Sequence, residues 1–308
     1  MVFDFWDIDG LKENLSILYG INKVKLEDIL IICDVKDSYI NENILMEFIK
    51  LCQIKDIDSI DVTNVKIKGR HITTASKDFT SFKKFGLLDA YSALTYKTPL
   101  RFFLLENGIE INVKEHWLKI DKKFYEIPEY HRDCHKCAYG ECSYIEDNII
   151  NLDKANTYCK YRKSFRNLSS KLYRDKAELE FFIIGTKEDM IAYSDVSKNP
   201  EILDTIDSLL KDFNLKKDLA SLWRNQNYMR YMVEFNIKGS DFNEELFSYQ
   251  NKSNDEYYNT YKMNLNTQLH CFIIYASFKA INEKPDLFKC QAKKGVIIPY
   301  SELEIIEL

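Results

Sequence analysis

Apolar residues change their spacing near residue 60, and that switch limits the folds open to the chain. Before it they recur every three to four residues: Leu11, Leu15 and Leu18, then Leu26, Ile29 and Ile32, then Ile44, Phe48 and Leu51. That is the period of amphipathic helices, and it predicts three of them between residue 1 and about 58. From Val62 to Ile72 the pattern alternates, which predicts a strand with Val65, Ile67 and His71 on one face. Phe79, Phe82 and Phe85 then return to helical spacing, with Ser76 as the expected N-cap and Gly86 where a left-handed C-cap belongs. A histidine therefore ends a strand and points toward the start of a short helix.

The rest of the chain mixes both periods. Ala90 to Asn107 reads as helical, with Pro99 opening its second half and Gly108 ending it. Glu110 to Tyr125 alternates as a hairpin, with His116 near its turn at the surface. Ala177 to Gly185 and Tyr228 to Ile237 read as strands, and Asn199-Pro200 precede a helix facing the core through Ile202, Ile206, Leu209 and Phe213. Asn266 to Ala280 fits either period, and late strands are expected at Gly295 to Tyr300 and Leu303 to Ile306. This order predicts an α+β protein with a mostly antiparallel or split sheet rather than βαβ winding.

Composition excludes several classes. The chain has 308 residues, 45% hydrophobic and 30% charged, enough to bury a full core in one large domain or two modest ones. With 9 glycines and 5 prolines it is neither collagen-like nor linker-rich. The formal charge of −5 does not mark a nucleic-acid binder globally, so any such site must be a local patch. Residues 1 to 10 hold acids and no cationic segment, so no secretory leader is expected. No apolar run approaches the ~20 residues needed to span a bilayer, and a cytoplasmic protein without membrane partners follows.

Four of the eight cysteines lie between residues 134 and 159, in His131-Arg132-Asp133-Cys134-His135-Lys136-Cys137 and at Cys142 and Cys159. Two thiolates spaced Cys-x2-Cys bind one tetrahedral ion, and Cys134, Cys137, Cys142 and Cys159 complete a closed structural zinc site, with His131 or His135 as substitutes. An iron–sulfur cluster or unligated thiols remain as alternatives. From Lys160 to Lys176 the chain has seven basic residues and one acid. Lys160, Arg162, Lys163 and Arg166, interleaved with aromatics, are candidates for a phosphate backbone, and a solvated helix face is the plainer reading. Cys33, Cys52 and the pair His270-Cys271 sit in apolar surroundings and are expected in the core.

Glu178 and Glu180, two apart in Ala-Glu-Leu-Glu-Phe-Phe-Ile-Ile-Gly, fall on one face of their strand, opposite Leu179 and Phe181. Paired carboxylates amid bulky apolar residues are costly unless solvated or used.

The stretch from Arg70 to Leu88 resembles the first motif of ADP-ribosyltransferases of the histidine class, especially DarT-like DNA-modifying toxins and the RNA 2′-phosphotransferases. The run from Ala177 to Gly185 is similar to the strand carrying their catalytic glutamate. The resemblance implies an ADP-ribosyltransferase-like split mixed sheet over residues 61–308, to which the helical period adds an N-terminal extension over 1–60 and the cysteine cluster a metal-binding insertion over 128–176. It implies that His71, Thr73 and Arg70 contact NAD, that Glu180 is catalytic and that Glu178 is the second, acceptor-activating carboxylate. It further implies a nucleic-acid acceptor and a toxin or anti-phage setting with an antitoxin or inhibitor protein. The family's nicotinamide-stacking tyrosine stays open among Tyr91, Tyr96, Tyr125 and Tyr173, and its long NAD-binding loop has no counterpart. A non-enzymatic zinc-stabilised nucleic-acid-binding or interaction protein is the competing expectation, and a metal-dependent nuclease a third. The enzymatic reading requires an imidazole and a carboxylate from distant strands to meet at one ribose.

Overall fold

The computed structural model describes residues 1–32, 42–127, 145–146, 149–150, 162–172, 179–193, 198–226, 228–242, 264–282 and 288–308. In chain order the strands are β1 (Val2–Phe3), β2 (Lys66–Ser76), β3 (Ile109–Asn112), β4 (Trp117–Ile120), β5 (Lys123–Glu126), β6 (Ile145–Glu146), β7 (Ile149–Ile150), β8 (Glu180–Ile184), β9 (Tyr228–Lys238), β10 (Phe288–Gln291) and β11 (Glu304–Glu307). The α-helices are α1 (Ile8–Tyr19), α2 (Lys23–Ile32), α3 (Glu42–Cys52), α4 (Thr80–Phe85), α5 (Ala90–Thr95), α6 (Pro99–Glu106), α7 (Arg162–Leu172), α8 (Lys187–Ala192), α9 (Glu201–Asp212), α10 (Leu219–Arg224) and α11 (Leu265–Asn282). The chain is thus α+β. Its main sheet runs β10-β8-β2-β9-β11, antiparallel throughout, with β1 added in parallel to the start of β2.

Helices α1, α2, α3 and α11 cover one face of this sheet. Leu11, Leu15, Leu26 and Phe48 share a single core with Ile67, Phe181, Val233, Phe235 and Phe272. The N-terminal helices therefore have no core of their own; their apolar stripes close the sheet's core. Helix α11 is buried from Gln268 through Phe278 on all sides, which is why its apolar residues follow neither period. His270 and Cys271 lie within it, 0% and 1% exposed, among the core residues.

A second core gathers α5, α6, the meander β3-β4-β5, α7, α9 and α10 around Phe103, Leu118, Phe165, Ile206 and Trp223. Among its contacts with the main sheet, Trp223 Nε1 donates to Thr74 Oγ1 (3.0 Å), and Trp223 stacks on Tyr228 at the start of β9, ring centroids 4.3 Å apart.

Several boundaries differ from those predicted. Strand β2 starts later and runs on to Ser76, because it pairs with β9 along all of its 11 residues. Ser76 is therefore a strand residue, its hydroxyl spent on Asp78 (2.6 Å), and the N-cap of α4 is Phe79 with φ 55°. Gly86 has the expected positive φ (73°), but with ψ −163°, a combination essentially confined to glycine rather than the left-handed helical one. It is needed there because a Cβ would lie 2.2 Å from the Ile298 carbonyl oxygen, where Leu87 and Ile298 exchange backbone bonds. No strand forms over Gly295 to Tyr300 beyond that bridge, whereas β10 appears where no strand is expected.

Candidate functional site

Strand β2 carries most of the residues singled out above, and its register decides which way each points. The bridge Arg70↔Phe182 joins it to β8, and opposed residues in an antiparallel pair share a face. Gly69, His71 and Thr73 thus lie on the helix-covered face with Phe181. A Cβ at Gly69 would come within 2.7 Å of the Phe181 ring and 3.0 Å of the Phe235 ring, so glycine permits that close approach. Lys68, Arg70, Ile72 and Thr74 lie on the opposite face, with Phe182 and Glu180.

His71 Nδ1 is 2.7 Å from the main-chain oxygen of Glu180. A carbonyl only accepts, so Nδ1 carries the proton, and a neutral ring keeps a lone pair on Nε2. Nε2 makes no hydrogen bond to a described residue. The residue is half-buried, and desolvation pushes its pKa below the ordinary histidine value. The Glu180 carbonyl bond and the Glu180 and Glu201 carboxylates pull the other way without prevailing. His71 is therefore neutral at pH 7, a hydrogen-bond acceptor fixed in orientation by its own backbone contact.

The Glu180 carboxylate is held from β10. Its Oε1 accepts from Gln291 Nε2 (3.0 Å), and its Oε2 lies 3.8 Å from Lys289 Nζ. Lys289 also donates to the Tyr193 hydroxyl and sits 4.4 Å above its ring, while Tyr193 packs edge-on against Phe182. Strands β2 and β8 do bring His71 and Glu180 together across 109 residues of sequence. The imidazole, however, meets the main chain of Glu180, and the two side chains leave by opposite faces. Thr73, half-buried, follows His71 on its face.

Arg70 is closed in. It is 2% exposed, with Nε on Glu234 Oε1 (2.7 Å), Nη2 on both oxygens of Asp4 (2.9 and 3.0 Å) and its guanidinium 3.8 Å over the Trp6 ring. Lys68 Nζ joins from Glu234 Oε2 (2.5 Å) and Asp4 Oδ2 (3.7 Å), giving two cations for two acids. Among the described residues, Arg70 Nη1 and Trp6 Nε1 are buried and find no hydrogen-bond partner. Asp4 reaches this network because β1 runs beside β2. An open, largely acidic cleft adjoins it, lined by Asp4, Lys68, Glu234, Asn236, Glu302 and Glu304. The geometry thus gives Arg70 a structural partner set.

His270 is a satisfied core residue. Its Nε2–H donates to the Ile60 carbonyl (2.9 Å), which leaves Nδ1 to accept from the Tyr19 hydroxyl (3.0 Å). Burial pushes its pKa down and that of Tyr19 well up. Cys52 and Cys290 are also buried, and burial raises the Cys290 thiol well above its usual value.

Glu178, Lys160, His131, His135 and the four expected metal ligands Cys134, Cys137, Cys142 and Cys159 lie outside the described residues. Among the described residues no cluster of three or more His, Cys, Asp or Glu is placed to hold a metal. Arg162, Lys163 and Arg166 belong to α7, whose Phe165, Leu168 and Leu172 are buried in the second core. No helix among the described residues is long and apolar enough to cross a membrane.

Sequence reasoning missed Gln291, Lys289, Tyr193 and Glu201, none of which belongs to a motif. The only signal was the short alternation Phe288-Lys289-Cys290-Gln291, whose apolar members do face the core. No family model matches the chain, and neither a curated protein nor a solved structure is detectably similar to it.

Proposed function

We propose that the protein is an NAD-dependent ADP-ribosyltransferase in which His71 and Glu180 act on the nicotinamide ribose. The observation carrying this reading is the contact between His71 Nδ1 and the Glu180 carbonyl, which joins the two motif strands and leaves Nε2 able to accept from a ribose hydroxyl. Cleavage of the nicotinamide–ribose bond builds positive charge on the sugar, and a carboxylate fixed nearby favours that state over the ground state. Glu180 carries such a carboxylate, already oriented by Gln291. Because the two side chains leave opposite faces, the reading requires the ribose to sit where β2 and β8 part beyond their single bridge, rather than on either face of the sheet. Arg70, enclosed by Asp4 and Glu234, is not part of the proposed NAD contact. The acceptor would be nucleic acid met by the basic run that includes α7, and zinc, held by the four clustered cysteines, would brace the preceding segment. A toxin or anti-phage role with a cognate inhibitor rests on the family resemblance alone.

The test is nicotinamide release from NAD by the purified protein, with DNA, RNA and protein as acceptors. Glu180→Gln is expected to lower turnover by about 10²-fold or more without unfolding the chain. A wild-type protein that neither binds nor cleaves NAD with any acceptor would refute the reading. One observation favours the non-catalytic alternative, a nucleic-acid-binding or interaction protein: Lys68 and Arg70 of β2 are already paired within the fold. Salt-dependent nucleic-acid binding that survives His71→Ala, without NAD turnover, would support it.

A further inference from the structure

We infer that strand β10 completes this site, with Gln291 and Lys289 acting as positioning residues that clamp the Glu180 carboxylate; the inference rests on the transferase reading above. Glu180 begins β8, and its side chain is only partly buried. A glutamate so placed samples several rotamers and loses the orientation that catalysis needs unless something holds it. Register supplies the holder. Gln291 is directly opposite Glu180, on the same face, so its amide reaches Oε1 across one strand spacing. Lys289 is opposite Phe182, one step along the same face, and approaches Oε2 from the other side.

Lys289 is itself steered. Its ammonium donates a hydrogen bond to the Tyr193 hydroxyl and sits over the Tyr193 ring, which is braced edge-on by Phe182. The amide therefore fixes the rotamer while the ammonium supplies a favourable field for an ionised carboxylate. Where the pairing passes from Phe288↔Ile184 to Lys289↔Phe182 the register slips, with Ile183 of β8 as the extra residue, so that Phe182 and Glu180 stand opposite Lys289 and Gln291. Two segments far apart in sequence, β8 with the helix α8 that follows it and β10, thus converge on one carboxylate. A chain needing only an edge strand would be served equally by any polar residues at 289 and 291.

The experiment follows nicotinamide release by the full chain across pH for wild type, Gln291→Met, Gln291→Glu and Lys289→Arg. Gln291→Met is expected to lower kcat roughly tenfold to a hundredfold with little change in KM for NAD, since small misplacements of a reacting group cost that much. Lys289→Arg keeps the cation and retains most activity. Gln291→Glu sets two carboxylates side by side, so they share a proton, and the acid limb of kcat/KM moves to higher pH; Gln291→Met causes no such movement. Turnover by wild type with kcat and acid limb unchanged in both Gln291 variants overturns the clamp and leaves the transferase reading standing. Equal loss in both variants together with a lowered Tm also overturns it, since packing alone would explain that. A wild-type protein that releases no nicotinamide removes the transferase reading, and the clamp's role in catalysis with it.

Discussion

Arg70→Ala separates a structural arginine from a ligand-binding one. In the folded protein the guanidinium is 2% exposed, bonds Glu234 and both oxygens of Asp4, and covers the Trp6 ring. Truncation leaves Glu234, itself 7% exposed, facing Asp4 with Lys68 as the one remaining cation of the network. Breaking a buried pair by removing one partner costs about 3–5 kcal/mol, because the surviving charge stays desolvated. Lys68 remains 2.5 Å from Glu234, which places the cost near the lower end, about 3 kcal/mol. With an unfolding entropy of about 2 cal/mol/K per residue, that loss lowers Tm by about 5 °C if the chain of 308 residues melts as one unit. Differential scanning calorimetry or urea titration reads the change directly. Arg70→Met combined with Glu234→Met swaps the pair for apolar side chains of similar size and is expected to recover about half of the loss or more. An Arg70→Ala protein that melts within 1 °C of wild type yet no longer binds NAD would refute this account and return Arg70 to the ligand site.

Three further outcomes follow from the same geometry. Gly86→Ala forces a Cβ to 2.2 Å from the Ile298 oxygen at a φ of 73°, so a loss of roughly 2 kcal/mol or more in urea titration is expected, and a change under 0.5 kcal/mol would contradict the assigned backbone. His71 and His270 are both held neutral by burial, with folded pKa values below the unfolded value near 6.5. The unfolded chain then binds more protons below that pH, so stability present above about pH 6.5 declines as pH falls through and below it. His270→Gln should flatten this decline in a Tm-versus-pH series, and an unchanged slope would exclude His270 as a contributor. The Asp78 carboxyl, held down to about 2 by bonds from Ser76 and Thr80, is expected to stay ionised on titration to pH 3, as carboxyl NMR shifts would report; Ser76→Ala should move its midpoint up.

How much of this was legible beforehand depends on how local the deciding forces are. The three N-terminal helices, the two halves of the 90–106 segment and strand β9 announce themselves through apolar period and capping residues, because each buries one face and the spacing must match the backbone repeat. Even the core histidine at 270 could be read from its apolar neighbours. Helix α11 could not, since enclosure on all sides erases the contrast between faces that a period needs.

The residue types at the site were also available in the chain, but their meaning was not. That Arg70 is locked by Asp4 depends on a two-residue parallel strand 66 positions away, and that Gln291 grips Glu180 depends on a strand pairing across 111. Register carries no local signature: a shift of one residue would exchange the faces of every side chain on β2 while leaving its sequence pattern intact. The chain alone thus showed most of the helices and strands, with α11 and β10 as exceptions, and which residues have reactive chemistry. The tertiary pairing of β2 with β8 and β9 decided that His71 and Glu180 are neighbours facing opposite ways, because only long-range hydrogen bonding sets which residue stands beside which.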